Sequence, residues 1–125
     1  MVLVDTCGWI EWLTDGFFAD KYEPYFDNIA SMLVPTSVQF ELYKWVARHN
    51  TVQMALEAIA LTEQALVIPL TTDIALFAAD LASQHKLSFA DSIIYATAQS
   101  HTVDLATSDV HFETLQNVVF IKKPG

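Results

Sequence analysis

Apolar positions recur along this chain with two periods. Compact apolar runs at 2–4, 32–34, 66–68, 103–106 and 118–121 predict five β-strands. Between them apolar residues fall at helical spacing. Val38, Leu42 and Val46 do so within 36–49, followed by Met54, Ala58, Leu61 and Ala65, then by Ile74, Phe77 and Leu81. Start signals accompany these stretches. Thr36 with Gln39 reads as a capping box behind Pro35, Ser88 with Asp91 reads as its acidic counterpart, and Asp20 reads as the cap of a helix reaching Ile29, with Pro24 near its first turn. Strands alternating with helices predict βα units: an α/β, three-layer α/β/α sandwich around a mostly parallel sheet of about five strands. In such sheets ligands bind beyond the carboxyl ends of the strands.

That rim is where the pattern delivers four acids. Asp5 ends the first strand, Glu41 lies just over one turn into the helix after the second, Asp91 opens a helix, and Asp109 follows the fourth strand. Two unit charges about 4 Å apart repel by roughly 1 kcal/mol in water and several times more near a protein surface. Acids gathered without basic partners therefore point to divalent cations. Hard ions such as Mg²⁺ or Mn²⁺ take oxygen ligands, and a pair of them can clamp a phosphodiester. Each acid also has an ordinary explanation: a turn residue for Asp5, a solvated helix position for Glu41, and helix caps for Asp91 and Asp109. The joint placement favours a site.

Bulk properties bound the reading. A chain of 125 residues and 14.0 kDa is expected to form one domain over 1–125 with a substantial core. The longest purely apolar run is six residues, 74–79, far short of the roughly 20 a membrane helix needs. The first residues lack a basic start, which argues against a signal peptide. Cys7 is the lone cysteine, so a reducing cytoplasm is the expected setting. The net charge of −9 disfavours simple phosphate binding, an objection that bound cations can locally reverse.

Four segments carry a resemblance in one order along the whole chain: Val4-Asp5-Thr6-Cys7; 36–42 with Glu41; 87–98 with Asp91; and 105–112, where Phe112 follows Asp109 by three residues. Together they resemble the PIN-domain ribonucleases, specifically the VapC-type toxins of toxin–antitoxin pairs. Cys7 departs from the serine usual at its position. The resemblance implies a Mg²⁺- or Mn²⁺-dependent endoribonuclease with Asp5, Glu41, Asp91 and Asp109 as catalytic and metal-binding acids. It implies Thr6 and Thr107 as supporting hydroxyls. It also implies an RNA substrate, a cognate antitoxin and a homodimer.

Other residues are weighed in the same way. Lys44 and Arg48 share a helix face with Glu41 and either grip RNA phosphates or pair with that acid; Lys86 is a weaker candidate for RNA. Cys7 reads as a small structural thiol, and the four histidines read as surface or helix-end residues without zinc spacing. The aromatic concentration Trp9, Trp12, Phe17, Phe18, Tyr22, Tyr25 and Phe26 reads mostly as core, with a remainder beside Tyr43 and Trp45 suited to a partner. Two alternatives stay open: a catalytically inactive PIN-like RNA-binding domain, and a phospho-receiver module suggested by the ending Lys122-Lys123-Pro124. The receiver reading is weakened by Pro69-Leu70-Thr71 where its phospho-accepting Asp belongs. A haloacid-dehalogenase phosphatase is disfavoured because Asp5-Thr6-Cys7 lacks its second Asp.

Overall fold

In the computed structural model, which describes residues 1–122, five strands form one all-parallel sheet in the order β3-β2-β1-β4-β5. They are β1 (Val2–Val4), β2 (Met32–Pro35), β3 (Leu66–Ile68), β4 (Asp104–Thr107) and β5 (Val118–Phe120). Six helices complete an α/β/α sandwich: α1 (Thr6–Thr14), α2 (Ala19–Phe26), α3 (Thr36–His49), α4 (Val52–Thr62), α5 (Thr72–His85) and α6 (Phe89–Ser100). They pack chiefly as the pairs α1–α2, α3–α4 and α5–α6. Short 3-10 turns at Ile29–Ser31 and Val110–Phe112 lead into β2 and follow β4.

Strand order fixes the place of the site. The chain builds outward from β1 through β2 to the edge strand β3, then crosses back over the sheet to place β4 on the other side of β1. Connections therefore leave β1 and β4 in opposite directions, opening a crevice above their carboxyl ends, which is where open α/β sheets bind ligands. Asp5 and Ser108 are the first residues past those two ends. A receiver module has strand order 2-1-3-4-5, so the order found here removes that alternative. Lys123 and Pro124, part of the ending that suggested it, lie outside the described residues.

The central strands are buried on both faces, as a covered parallel sheet requires. Leu3, Val4, Leu33, Val34 and Leu105 are fully enclosed, with Val38, Leu42, Ile94 and Phe112 packed on them from the helices and the turn after β4. The N-terminal aromatics are mostly a seam between α1 and α2. Trp12 stacks on Phe26 at 4.2 Å, Trp9 meets the same ring edge-on at 4.8 Å, and Tyr22 is fully buried. Phe17 is the exception and is almost wholly exposed.

Local start signals fared unevenly. Ser88 caps α6 by accepting the Asp91 N–H, and Thr51 and Thr71 cap α4 and α5 in the same manner. The expected box at Thr36 does not form. Pro35 is the cap residue, with no side-chain bond, and the Gln39 amide reaches across to Thr62 and Glu63 on α4. Asp20 is not a cap either: it lies in the first turn of α2, which ends at Phe26 instead of continuing to Ile29. Pro24 inside that helix removes the N–H that would bond Asp20, one reason the helix is short. Ala65 falls beyond α4, and β4 is shifted one residue forward because Thr107 still pairs with Phe120.

Gly8 lets α1 approach its neighbours. A Cβ there would sit 2.5 Å from both Val4 Cγ1 and Tyr22 Cε1. Alanine in a helix interior gains up to about 1 kcal/mol over glycine, whereas overpacking costs about 1–3 kcal/mol. The two neighbours are a central-strand residue and a buried ring, so overpacking wins. Gly8→Ala is expected to lower the melting temperature by several degrees, measured by thermal denaturation; an unchanged or higher value contradicts the close approach.

Candidate functional site

Each acid reaches the crevice through its own element. Asp5 follows β1 directly; its N–H donates to Ala106 O at 3.0 Å, extending the β1–β4 ladder by one step and pinning the residue in the crevice. It also begins α1, and its Oδ1 accepts the Thr6 N–H at 2.8 Å. Asp91 lies in the first turn of α6 behind the Ser88 cap. Asp109 caps the 3-10 turn after β4, accepting the His111 N–H at 2.9 Å. Glu41 projects from the second turn of α3. Helix N-termini carry partial positive charge, so the positions of Asp5 and Asp91 soften the repulsion without cancelling it.

Two threonines hold the inner pair. The Thr107 hydroxyl donates to Asp5 Oδ2 at 2.8 Å and accepts the Asp109 N–H at 2.9 Å, tying the ends of β1 and β4 together. The Thr6 hydroxyl donates to Glu41 Oε1 at 2.8 Å, joining α1 to α3. Thr6 and Thr107 are both buried.

Electrostatics connect the four carboxylates. Burial, with Glu41 and Asp91 adding to it, pushes the Asp5 carboxyl up from 3.8 to about 6, even though the Thr107 and Thr6 bonds pull the other way. Asp91 is also raised, by burial and then by Asp109, against the lowering influence of Ser88 and His111. Glu41, Asp5, Asp91 and Asp109 thus form a continuous run of mutually repelling neighbours. Among the described residues, the basic side chain within ion-pairing distance of any of them is His111, whose Nδ1 lies 2.9 Å from Asp109 Oδ1 and 3.6 Å from Asp91 Oδ2. Asp91, Asp109 and His111 bring one ligand atom each within 4.8 Å of one another. Oxygen donors with adjacent negative charge fit a divalent cation, and the grouped carboxylates of Asp91 and Asp109, with Asp5 coupled to Asp91, could hold one.

The basic candidates lie apart. Lys44 and Arg48 line a shallow cleft with Phe40, Glu41, Trp45 and His49. Among the described residues neither pairs with Glu41; Lys44 Nζ sits 5.9 Å from the Phe40 ring centre, and Trp45 stacks on His49 at 4.1 Å. Lys86 is an exposed left-handed cap of α5 whose N–H bonds Ala82 O.

Three residues take roles that the sequence did not suggest. His111 belongs to the acid cluster as well as to the surface, because the tight turn folds its ring back over Asp109. The spacing Asp109-x-His111 carries that signal only once the turn is known. Tyr22 and Ser108 share a 2.7 Å hydroxyl bond, and Cys7 Sγ lies 3.7–3.8 Å from Asp5, Thr107 and Tyr22. No local pattern separates Tyr22 from its purely apolar neighbours. Burial and the Asp5 charge push the Cys7 thiol up to about 11, so it stays protonated and is no nucleophile at neutral pH.

The comparisons agree with this geometry. No curated protein matches the chain by sequence. Solved structures do match in fold. A toxin–antitoxin complex from Klebsiella pneumoniae superposes with TM-score 0.79 at 23% identity, covering 95% of this chain and 96% of that one. VapC20 from Mycobacterium tuberculosis, described as a sarcin-ricin loop cleaving toxin, gives 0.78 at 17% identity over 94% and 97%. FitAcB from Neisseria gonorrhoeae gives 0.73 at 23% identity, over 97% of each chain. The PIN domain model matches residues 2–117, a span that takes in strands β1 to β4 and all four acids. With acids at the ends of β1 and β4 and in α3 and α6, all inside that match, the chain belongs to the PIN domain family.

Proposed function

We propose that the protein is a metal-dependent endoribonuclease, one nuclease domain over 1–125, acting as the toxin of a toxin–antitoxin pair in the cytoplasm. The observation that carries this reading is the run of four repelling carboxylates in the β1–β4 crevice, with Asp5 buried at its centre. A protein gains nothing in stability from such a run. Asp5, Asp91 and Asp109 hold Mg²⁺ or Mn²⁺, with Glu41 completing the set. When bound, the cation supplies Lewis-acid stabilisation of phosphodiester oxygens and lowers the pKa of the attacking water.

The chain's own residues do the positioning. Thr107 fixes the Asp5 carboxylate and the Asp109 backbone at once, and Thr6 fixes Glu41. Lys44 and Arg48 offer positive charge beside Glu41, and single-stranded RNA, whose backbone is accessible, suits so open a cleft. Neighbours of the same fold solved as toxin–antitoxin complexes support a protein antitoxin as partner, and the family resemblance implies a homodimer.

Substituting Asp5, Asp91 or Asp109 with Asn is expected to abolish most cleavage of structured RNAs in Mg²⁺ or Mn²⁺ while circular dichroism stays native. Cleavage that survives excess EDTA, or persists in Asp5→Asn, sinks the mechanism. Thr107→Val keeps the side-chain shape and removes the bond to Asp5, and a loss of roughly 10–100-fold in activity is expected from a group that orients a ligand.

The metal-free protein gives a second test. Asp5 has a folded pKa above its ordinary value, so its ionised form opposes folding. The penalty is absent below pH 3.8, grows through the interval to about 6, and is fully present above it. A displacement of that size amounts to roughly 3 kcal/mol. In EDTA, Asp5→Asn is expected to be more stable than wild type at pH 7.5, with the gap closing toward pH 4, as read by urea denaturation. A gap that stays constant with pH contradicts the burial of an ionising group.

A further inference from the structure

His111 is the one residue at the acid run whose chemistry differs from the rest, and the fold takes trouble to place it. Phe112, fully buried, anchors the 3-10 turn into the core, and Asp109 holds the His111 N–H. The ring then bends back so that Nδ1 sits 2.9 Å from one carboxylate and 3.6 Å from the other, although the side chain is 69% exposed and free to point elsewhere. Ligand atoms about 2.1 Å from one ion, at tetrahedral or octahedral angles, lie about 3.0–3.4 Å apart. The two Nδ1 distances bracket that spacing.

We propose that His111 is a metal ligand, making Asp91, Asp109 and His111 a mixed nitrogen–oxygen site that selects borderline transition-metal ions over Mg²⁺. The inference rests on the metal-dependent reading above and adds to it an imidazole donor and the metal preference that follows. Carboxylates and water suit Mg²⁺, whereas imidazole favours ions such as Co²⁺, Ni²⁺ and Zn²⁺. Nδ1 coordinates through its lone pair, with the ring hydrogen on Nε2. Because α6 carries Asp91 and the turn after β4 carries Asp109 and His111, occupancy also ties these two elements together.

The test is calorimetric titration of the metal-free full chain with Co²⁺ and, separately, Mg²⁺, with the visible absorption of bound Co²⁺ as a second readout. His111→Ala and His111→Gln are expected to weaken Co²⁺ at least tenfold and alter its absorption band, while Mg²⁺ affinity changes less than about twofold. Asp109→Asn is expected to weaken both ions. Equal losses for Co²⁺ and Mg²⁺ in the His111 variants mean that the ring only orients Asp109, and they overturn the proposal. So does Co²⁺ binding unchanged in affinity and spectrum, or Co²⁺ binding retained in Asp109→Asn, which places the ion on another histidine. Wild type that binds neither ion defeats the metal-dependent reading itself, an outcome distinct from loss of selectivity with Mg²⁺ binding intact.

Discussion

The bond from the Thr107 hydroxyl to the Asp5 carboxylate is the contact on which the site depends. Asp5 is removed from water at the seam between β1 and β4, and its charge faces Glu41 and Asp91. Left alone, a carboxyl in that position would neutralise itself. Two hydrogen bonds, from Thr107 and from the Thr6 N–H, keep its ionised form within reach at neutral pH. The same hydroxyl accepts the Asp109 N–H, so one side chain sets both the central acid and the start of the turn that carries Asp109 and His111.

Topology creates the demand that this bond answers. A sheet laid down in order along the chain would have no crevice at β1. Here the return from β3 to β4 opens one, and Asp5, just beyond β1, meets Thr107 at the end of β4 there. Stability lies elsewhere, in the apolar strands and the Trp12–Phe26–Trp9 seam, which bury their area without reference to the acids. The division is economical: full burial of a large apolar side chain contributes about 1.5–3 kcal/mol, so a few such residues offset the cost of one buried carboxylate.

What could be read from the sequence follows the range of the forces involved. Strands β1 and β3 and helix α3 were legible to the residue because a compact apolar run or a helical apolar period bounded by turn residues marks each one. Ser88 was legible as a cap because its partner is three residues away. The Thr36 box failed for the opposite reason: Gln39 found longer-range partners on α4, which no local rule weighs. All four acids could be ordered along a rim from the strand–helix pattern, whereas the supporting hydroxyls came only with the family resemblance. His111, Tyr22 and Ser108 could not. Their positions depend on a tight turn and on a helix pairing that local pattern does not encode.

The four acids are not equivalent. Asp5 and Glu41 are held by hydroxyls from α1 and β4. Asp91 and Asp109 sit nearer solvent, held by a helix cap and a turn, and the group facing them is an imidazole. Asp5 is buried and held by two hydrogen bonds, so its charge is expensive and well aimed. The other three acids are only half-buried and have more freedom to adjust. A chain with a net charge of −9 would otherwise repel a polyanion. On the proposed function, confining the repulsion to one crevice, where a bound cation would reverse it, would let an acidic protein present a local positive field to a phosphodiester while the rest of its surface stays acidic.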